Sequence, residues 1–337
     1  MAPLSEKMPA PALGPQPRFG IIGGSGVQVS GNQSWVVDTP FGECLITAMD
    51  AEKRVLFANR HLCTKLDAEG KPQYAPPHEV NMHAMIWALG VESKCSGGIV
   101  ALGSAGTLHP ETVPVGSVVM ADDYYRVRPA PLSTFWGNER VGAFEVPDGE
   151  GVGRVHCTPA EPSSEAWLDL RKVVQDILQP ARPGGQVKLA KGQTPESWPC
   201  IGDHKPGAEL EDSAVYVQTE GPRSETRAEV RHYRSLGHVV GMTCAREWAL
   251  TEELRLPYVL LCLCDRACNG LSTHPGGSSE EHREHKEAAR QAAGAIVDAL
   301  VTGLPRSKAP EASPPVGALD LRSAALALAQ KSFWPVW

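Results

Sequence analysis

Apolar positions along this chain come in short runs rather than long stripes. Phe19–Ile22, Arg54–Ala58, Gly98–Leu102, Ser117–Met120, Ala214–Gln218, Val239–Met242 and Tyr258–Leu263 are rich in β-branched and apolar residues, which predicts buried strands. Val80–Leu89, Ser224–Leu236 and Arg246–Leu254 each follow a strand-loop segment and read as helices, and Ser279–Leu300 is a long amphipathic helix opening on an acidic first turn. No internal repeat interrupts the series. Such alternation predicts an α/β layer structure with a largely interior sheet, whose ligand sites lie at the carboxyl ends of strands.

The ends and two internal stretches break the pattern. Residues 1–17 hold five prolines and no periodicity, which predicts a flexible tail. Residues 304–337 form a second appendage, rich in proline and alanine, with a short helix expected over Ala318–Ala329 and a terminal apolar plug, FWPVW. Cys63–Lys71 and Gly185–Asp212 are polar, full of turn residues and without apolar period, so they read as insertions.

Composition adds bounds. Glycine (33) and proline (29) together exceed their usual share, which argues for many loops and against a helical bundle. A net charge of −7 without a basic stripe gives no electrostatic footprint for nucleic acid. No window approaches the roughly 18–20 apolar residues that cross a bilayer, and the first residues lack a signal pattern, so a cytoplasmic address without membrane contact is expected. Nine cysteines in no regular framework agree with a reducing compartment.

Candidate chemistry sits at the strand exits. Phe19–Ile22 runs into Gly23-Gly24-Ser25-Gly26, where backbone N–H groups and a hydroxyl can converge on an anion; the same glycines also suit a plain tight turn. The run has neither dinucleotide spacing nor a P-loop lysine. Arg60-His61 ends another strand, either as an anion site or as a surface pair. Gly103-Ser104 and Gly241-Met242-Thr243 are two more exits bearing hydroxyls. Together the four suggest one shared phosphate cradle. Glu220 and Glu225 stand where a strand turns into a helix, a place that also suits helix-dipole partners. Asp265 closes the apolar run PYVLLCLC, a common placement for a catalytic acid and for a turn residue. Cys262 and Cys264 fall on one strand face as core residues, and no ligand cluster has zinc spacing, so no metal is expected.

The ordered set of motifs resembles the trimeric purine nucleoside phosphorylases and their 5′-methylthioadenosine phosphorylase branch. It comprises GIIGGSG (20–26), DTPFG (38–42), NRH (59–61), VNMHAMIWAL (80–89), GSAGTL (103–108), HCTPAEP (156–162), TEGPRSETRAE (219–229), GMTCAREWAL (241–250) and LCDRA (263–267). The resemblance spans residues 18–303 as one domain and implies a three-layer α/β/α fold with a central mixed sheet. It implies phosphorolysis of purine nucleosides to free base and ribose 1-phosphate in a homotrimer, with phosphate as co-substrate and no cofactor. On that resemblance Ser25, Arg60, His61, Ser104 and Thr243 hold phosphate, Met242 packs on the ribose, and Asp265 meets the N7 side of the base as the catalytic group.

The branch is left open by the same comparison. Glu225 matches the base-binding glutamate of 6-oxopurine enzymes, and His282 matches a histidine over the 5′-hydroxyl. Asp265 instead matches the methylthioadenosine branch, as does His156, which that branch lends to a neighbouring subunit's sugar site. Ser224 stands where a base-stacking phenylalanine is usual, Gly103 where a side-chain donor is usual, Ala267 where the methylthio branch has a second acid, and Gln73 where it has a histidine. Three readings follow: a purine nucleoside phosphorylase, an S-methyl-5′-thioadenosine phosphorylase, and a phosphorylase-fold protein that binds a ligand or partner without catalysis.

Overall fold

A computed structural model describes residues 16–24, 27, 29, 31–127, 134–135, 147–148, 151–152, 165–178, 214–271 and 279–306. Most of both tails (1–15 and 307–337), the 185–212 insertion, Ser25 and His156 lie outside these residues.

Ten strands form one mixed sheet: β1 (Phe19–Gly23), β2 (Gln33–Thr39), β3 (Gly42–Ala48), β4 (Val55–Asn59), β5 (Ile99–Thr107), β6 (Val118–Met120), β7 (Asp123–Arg126), β10 (Val215–Gln218), β11 (Val239–Gly241) and β12 (Tyr258–Ala267). Two further short strands, β8 (Pro147–Asp148) and β9 (Gly151–Val152), pair only with each other. Five α-helices, α1 (Met82–Trp87), α2 (Glu165–Leu178), α3 (Arg227–Tyr233), α4 (Cys244–Glu253) and α5 (Ser279–Gly303), are described, with a short 3-10 turn at Leu304–Arg306 after α5. None is long and apolar enough to cross a membrane.

Side-chain alternation along the central strands explains the layering. Ile99 and Ala101 of β5, with Tyr258, Leu260 and Cys262 of β12, join one core with α1 and α4. Val100, Leu102, Val259, Leu261 and Leu263 point the other way, into a second core with α2 and α5. A sheet buried on both faces reads as continuous apolar runs, and this is why these strands were legible without a period of two. Val217, Val240, Val230 and Tyr233 form a smaller third cluster under α3.

Several boundaries moved. Strand β5 runs five residues beyond the expected Leu102, and β12 four beyond Leu263, because the two pair along their whole length from Tyr258↔Ile99 to Ala267↔Thr107. The helix expected over Val80–Leu89 is α1 followed by a π-helical turn at Ala88–Glu92. The β2–β3 hairpin, β7 and α2 carry no sequence expectation above. The hairpin turns at Gly42, whose φ of +122° suits glycine.

One topological feature positions the site. β5 pairs in parallel with β1 over Ile99–Ala101, then leaves it and pairs antiparallel with β11 at Gly106 and Thr107. The stretch between, Leu102–Ala105, faces the fork between the two neighbours.

Candidate functional site

The fork is filled by Arg60. Its strand β4 pairs with β1, and the backbone N–H of Arg60 donates to Gly23 O at 2.8 Å, which carries the side chain past the end of β1. Nη1 donates to Leu102 O at 3.0 Å, the carbonyl that β5 exposes as it changes partners. Gly24 lies so close that a Cβ there would fall 2.7 Å from Nη1. Nε and Nη2 hold Glu247 of α4 in a two-point ion pair, the second bond at 2.9 Å, and Tyr258 donates to the same carboxylate at 2.9 Å. Both partners are fully buried, at 1% and 0% exposure. Burial opposes the charge on Arg60, and Cys244, Glu247 and Tyr258 more than offset it, holding the guanidinium well above its ordinary value. Three of the five N–H groups of an arginine are thereby used. Among the described residues the second hydrogens of Nη1 and Nη2 have no partner and can meet an anion.

His61 is buried beside it. Nδ1–H donates to Ala75 O at 2.8 Å, since a carbonyl only accepts, and the ring stacks on the exposed Tyr74 at 5.4 Å. Burial lowers its pKa, with Arg60 adding to the shift against the Ala75 bond. The neutral ring therefore presents Nε2 as an acceptor, suited to the P–OH of a hydrogen phosphate.

Thr243 opens α4 as its N-cap without a side-chain capping bond. The phenol oxygen of Tyr216 accepts the N–H groups of Thr243 and Cys244 instead, at 3.4 Å each. Gly241 makes this possible, because a Cβ there would sit 2.4 Å from that phenol. The helix terminus is thus spoken for, and the Thr243 hydroxyl, which touches only the Cys244 thiol at 3.6 Å among the described residues, is the part that can meet a ligand. Gly103 serves packing in the same way: a Cβ would meet Cys244 Sγ at 2.7 Å, which accounts for the lack of a side-chain donor at 103. These glycines admit the protein's own site side chains rather than a ligand's approach.

Ser104 is the one exposed residue of β5. Its hydroxyl, expected at phosphate, donates to Asp265 Oδ2 at 2.5 Å. Asp265 itself is inserted by a β-bulge, since Cys264 pairs with Ala105 and Arg266 with Gly106. Asp265 is 4% exposed, and among the described residues its Oδ1 has no hydrogen-bond partner, with Arg266 Nη1 at 3.6 Å.

The remaining wall runs through Pro77, whose ring lies against Gly221 together with Met242 Sδ. Arg246 Nη2 donates to Pro77 O at 2.6 Å, and its backbone N–H to Gln218 Oε1 at 2.9 Å. Glu225 is buried, accepting from Thr219 Oγ1 at 2.8 Å, while its carbonyl accepts from Asn269 Nδ2 at 2.7 Å, just past β12. Ser104 and Asp265 are thus joined directly, Arg60 and Thr243 both adjoin Cys244, and Met242 and Glu225 lie beside Gly221 and Thr219 of the turn that follows β10. Ser25 and His156 lie outside the described residues. His282 falls in the first turn of α5, and its side chain lies outside them too. Ser224 is exposed, and Gln73 is taken by the 63–71 insertion, donating to Asp67 Oδ2 at 2.9 Å. The insertion closes on itself through Leu66↔Pro72 and a turn at Gly70. Among the described residues no group of His, Cys, Asp and Glu is arranged to hold a metal ion.

Glu247, Tyr216 and Tyr258 were missed by sequence reasoning. An acid inside the apolar motif GMTCAREWAL is the signal for the first; the tyrosines, inside strands, left none.

Comparison with known proteins matches the chain to the phosphorylase superfamily over residues 18–302. It is 31% identical over 297 residues to the 6-oxopurine nucleoside phosphorylase of Pyrococcus furiosus, covering 86% of this chain and 92% of that one. It is 30% identical over 259 residues to the probable S-methyl-5′-thioinosine phosphorylase of Methanopyrus kandleri, covering 75% and 79%. Among solved structures, methylthioadenosine phosphorylase from Schistosoma mansoni in complex with tubercidin superposes with a TM-score of 0.63 at 22% identity, covering 95% of this chain and all of that one. That likeness shows the fold.

Proposed function

The chain belongs to the phosphorylase superfamily, and from that premise we propose that it cleaves purine nucleosides with inorganic phosphate, releasing the free base and ribose 1-phosphate. A phosphate oxygen attacks C1′ as the C1′–N9 bond breaks, and the base departs with the bonding electrons and takes up a proton. The transition state carries positive charge on the sugar and negative charge on the departing base, so a fixed phosphate anion against the sugar and a proton or hydrogen-bond donor at the base lower the barrier. Arg60, His61, Thr243 and Ser25 hold phosphate, Met242 packs on the ribose, Asp265 and Glu225 meet the base, and His282 meets the sugar hydroxyl. His156 reaches a neighbour's site in a homotrimer. No cofactor takes part, and the enzyme works in the cytoplasm.

The observation that carries this reading is the buried Arg60–Glu247 pair in the fork of β5. It costs desolvation, and a phosphate-binding role for the remaining guanidinium hydrogens explains why a charge is kept there. A panel of inosine, guanosine, adenosine and methylthioadenosine, each with and without phosphate, tests it. Base release from the 5′-hydroxyl nucleosides that depends on phosphate is the expected result. Turnover of methylthioadenosine alone would favour the second reading, for which Asp265 speaks, and binding without turnover would favour the non-catalytic one. Asp265→Ala is expected to lower kcat by about 100-fold or more while KM for phosphate stays unchanged.

A further inference from the structure

We infer that Ser104 is a positioning residue for base recognition: its hydroxyl clasps the Asp265 carboxylate and does not serve the phosphate. The inference rests on the function proposed above only for the identity of the group that Asp265 meets.

A serine hydroxyl carries a single proton. In this structure it is given to Asp265 Oδ2 at 2.5 Å, across the β5–β12 ladder. A phosphate dianion brought to the same oxygen would then meet lone pairs rather than a donor. The fold builds the clasp twice over. The bulge at Asp265 lifts that residue out of the pairing register, and Ser104 is the only position of β5 that is exposed.

The clasp has a chemical consequence for the other oxygen. With Oδ2 held by a donor, the carboxylate is oriented, and among the described residues Oδ1 is left buried without a hydrogen bond. A buried acceptor without a donor is unusual in a native structure and marks a place where a ligand donates. Arg266 Nη1, 3.6 Å away, supplies charge to Oδ1 without a hydrogen bond. Both neighbours of the carboxylate are donors or cations, which suits an oxygen that accepts. The matching donor on a purine is an N–H: that of the departing base at N7 or of an exocyclic amino group.

Full-length wild type, Ser104→Ala and Ser104→Thr separate the two roles of the hydroxyl. The measurements are steady-state phosphorolysis and calorimetric binding of hypoxanthine and adenine without phosphate. Ser104→Ala is expected to lower kcat and weaken binding of the preferred base by about tenfold or more, the factor that a hydrogen bond to a charged group carries, with KM for phosphate unchanged. Ser104→Thr, which keeps the hydroxyl, is expected to restore both. A raised KM for phosphate with base affinity intact would overturn the inference, as would no change in either. The Asp265 carboxyl carbon, assigned by NMR through its loss in Asp265→Asn, gives a readout independent of turnover. It is expected to shift in Ser104→Ala and return in Ser104→Thr; an unmoved resonance removes the clasp. Wild-type protein that cleaves no nucleoside would overturn the function and not the clasp, which the resonance still reports.

Discussion

Among the described arginine–glutamate pairs with a two-point geometry, Arg60–Glu247 and Arg223–Glu229 differ most usefully in their surroundings. Arg60–Glu247 lies in the fork of the sheet with both side chains fully buried. Arg223–Glu229 lies at the start of α3, with bonds of 2.8 and 2.7 Å, and its side chains are 65% and 30% exposed. In the exposed pair water competes with each bond, and Glu229 has a second task, accepting from the Thr226 backbone as part of a capping box. The buried pair has no solvent to fall back on. Each of its members makes the other tolerable, and Leu102 O and the Tyr258 hydroxyl complete the set. Identical chemistry thus serves a local helix start in one place and the assembly of the whole site in the other.

The comparison can be broken most severely at Glu247. Glu247→Ala leaves a buried cation unpaired and is expected to destabilise the fold by about 3–5 kcal/mol, read from urea denaturation, with phosphorolysis lost. Replacing both partners, as Arg60→Met with Glu247→Leu, is expected to recover most of that stability and none of the activity. Recovery of activity in the double variant would show that Arg60 serves only the fold. A milder perturbation comes from Gly103→Ala, which pushes a methyl group toward Cys244 Sγ and should cost about 1–3 kcal/mol by overpacking. Pairing it with Cys244→Ala is expected to restore the denaturation midpoint, because the colliding sulfur is gone.

The smallest effect is expected at the exposed pair. Glu229→Gln should leave the denaturation midpoint near that of wild type at neutral pH, and any difference should shrink with added salt. Its pH dependence gives the sharper reading. Arg223 first, and then the Thr226 backbone, hold the Glu229 carboxyl down at about 2, below its ordinary 4.5. A depressed folded-state pKa contributes stability above the unfolded value and loses it as the pH falls. Wild type and Glu229→Gln are therefore expected to converge as the pH drops from about 4.5 to about 2.

The same contrast explains what was legible in the sequence. Central strands such as β1 and β12 were visible because burial on both faces leaves a run of apolar residues. Asp265 stood out as an acid ending such a run. The meeting of Asp265 with Ser104 did not, because it depends on a one-residue bulge that only the cross-strand register reveals. Glu247 shows in the sequence only as an acid inside GMTCAREWAL; the arginine it pairs with stands 187 positions earlier in the chain. The β2–β3 hairpin had a readable signal, with Trp35 and Val37 alternating inward and a glycine at the turn. The boundary of β5 had none, since its last residues are glycine, serine and alanine held by their partners rather than by their own preference.

The way β5 changes partners also bears on when the site comes into being during synthesis. Strand β1 is made first, β11 and β12 more than two hundred residues later, and β5 needs all three. Until Tyr258–Ala267 has left the ribosome, one whole edge of an apolar nine-residue strand stays unpaired. Exposed edges of this kind recruit other chains, and contacts of such sequence separation form slowly. The nascent protein therefore carries an aggregation hazard in the strand that later bears Ser104, and that hazard ends in the same step that delivers Asp265.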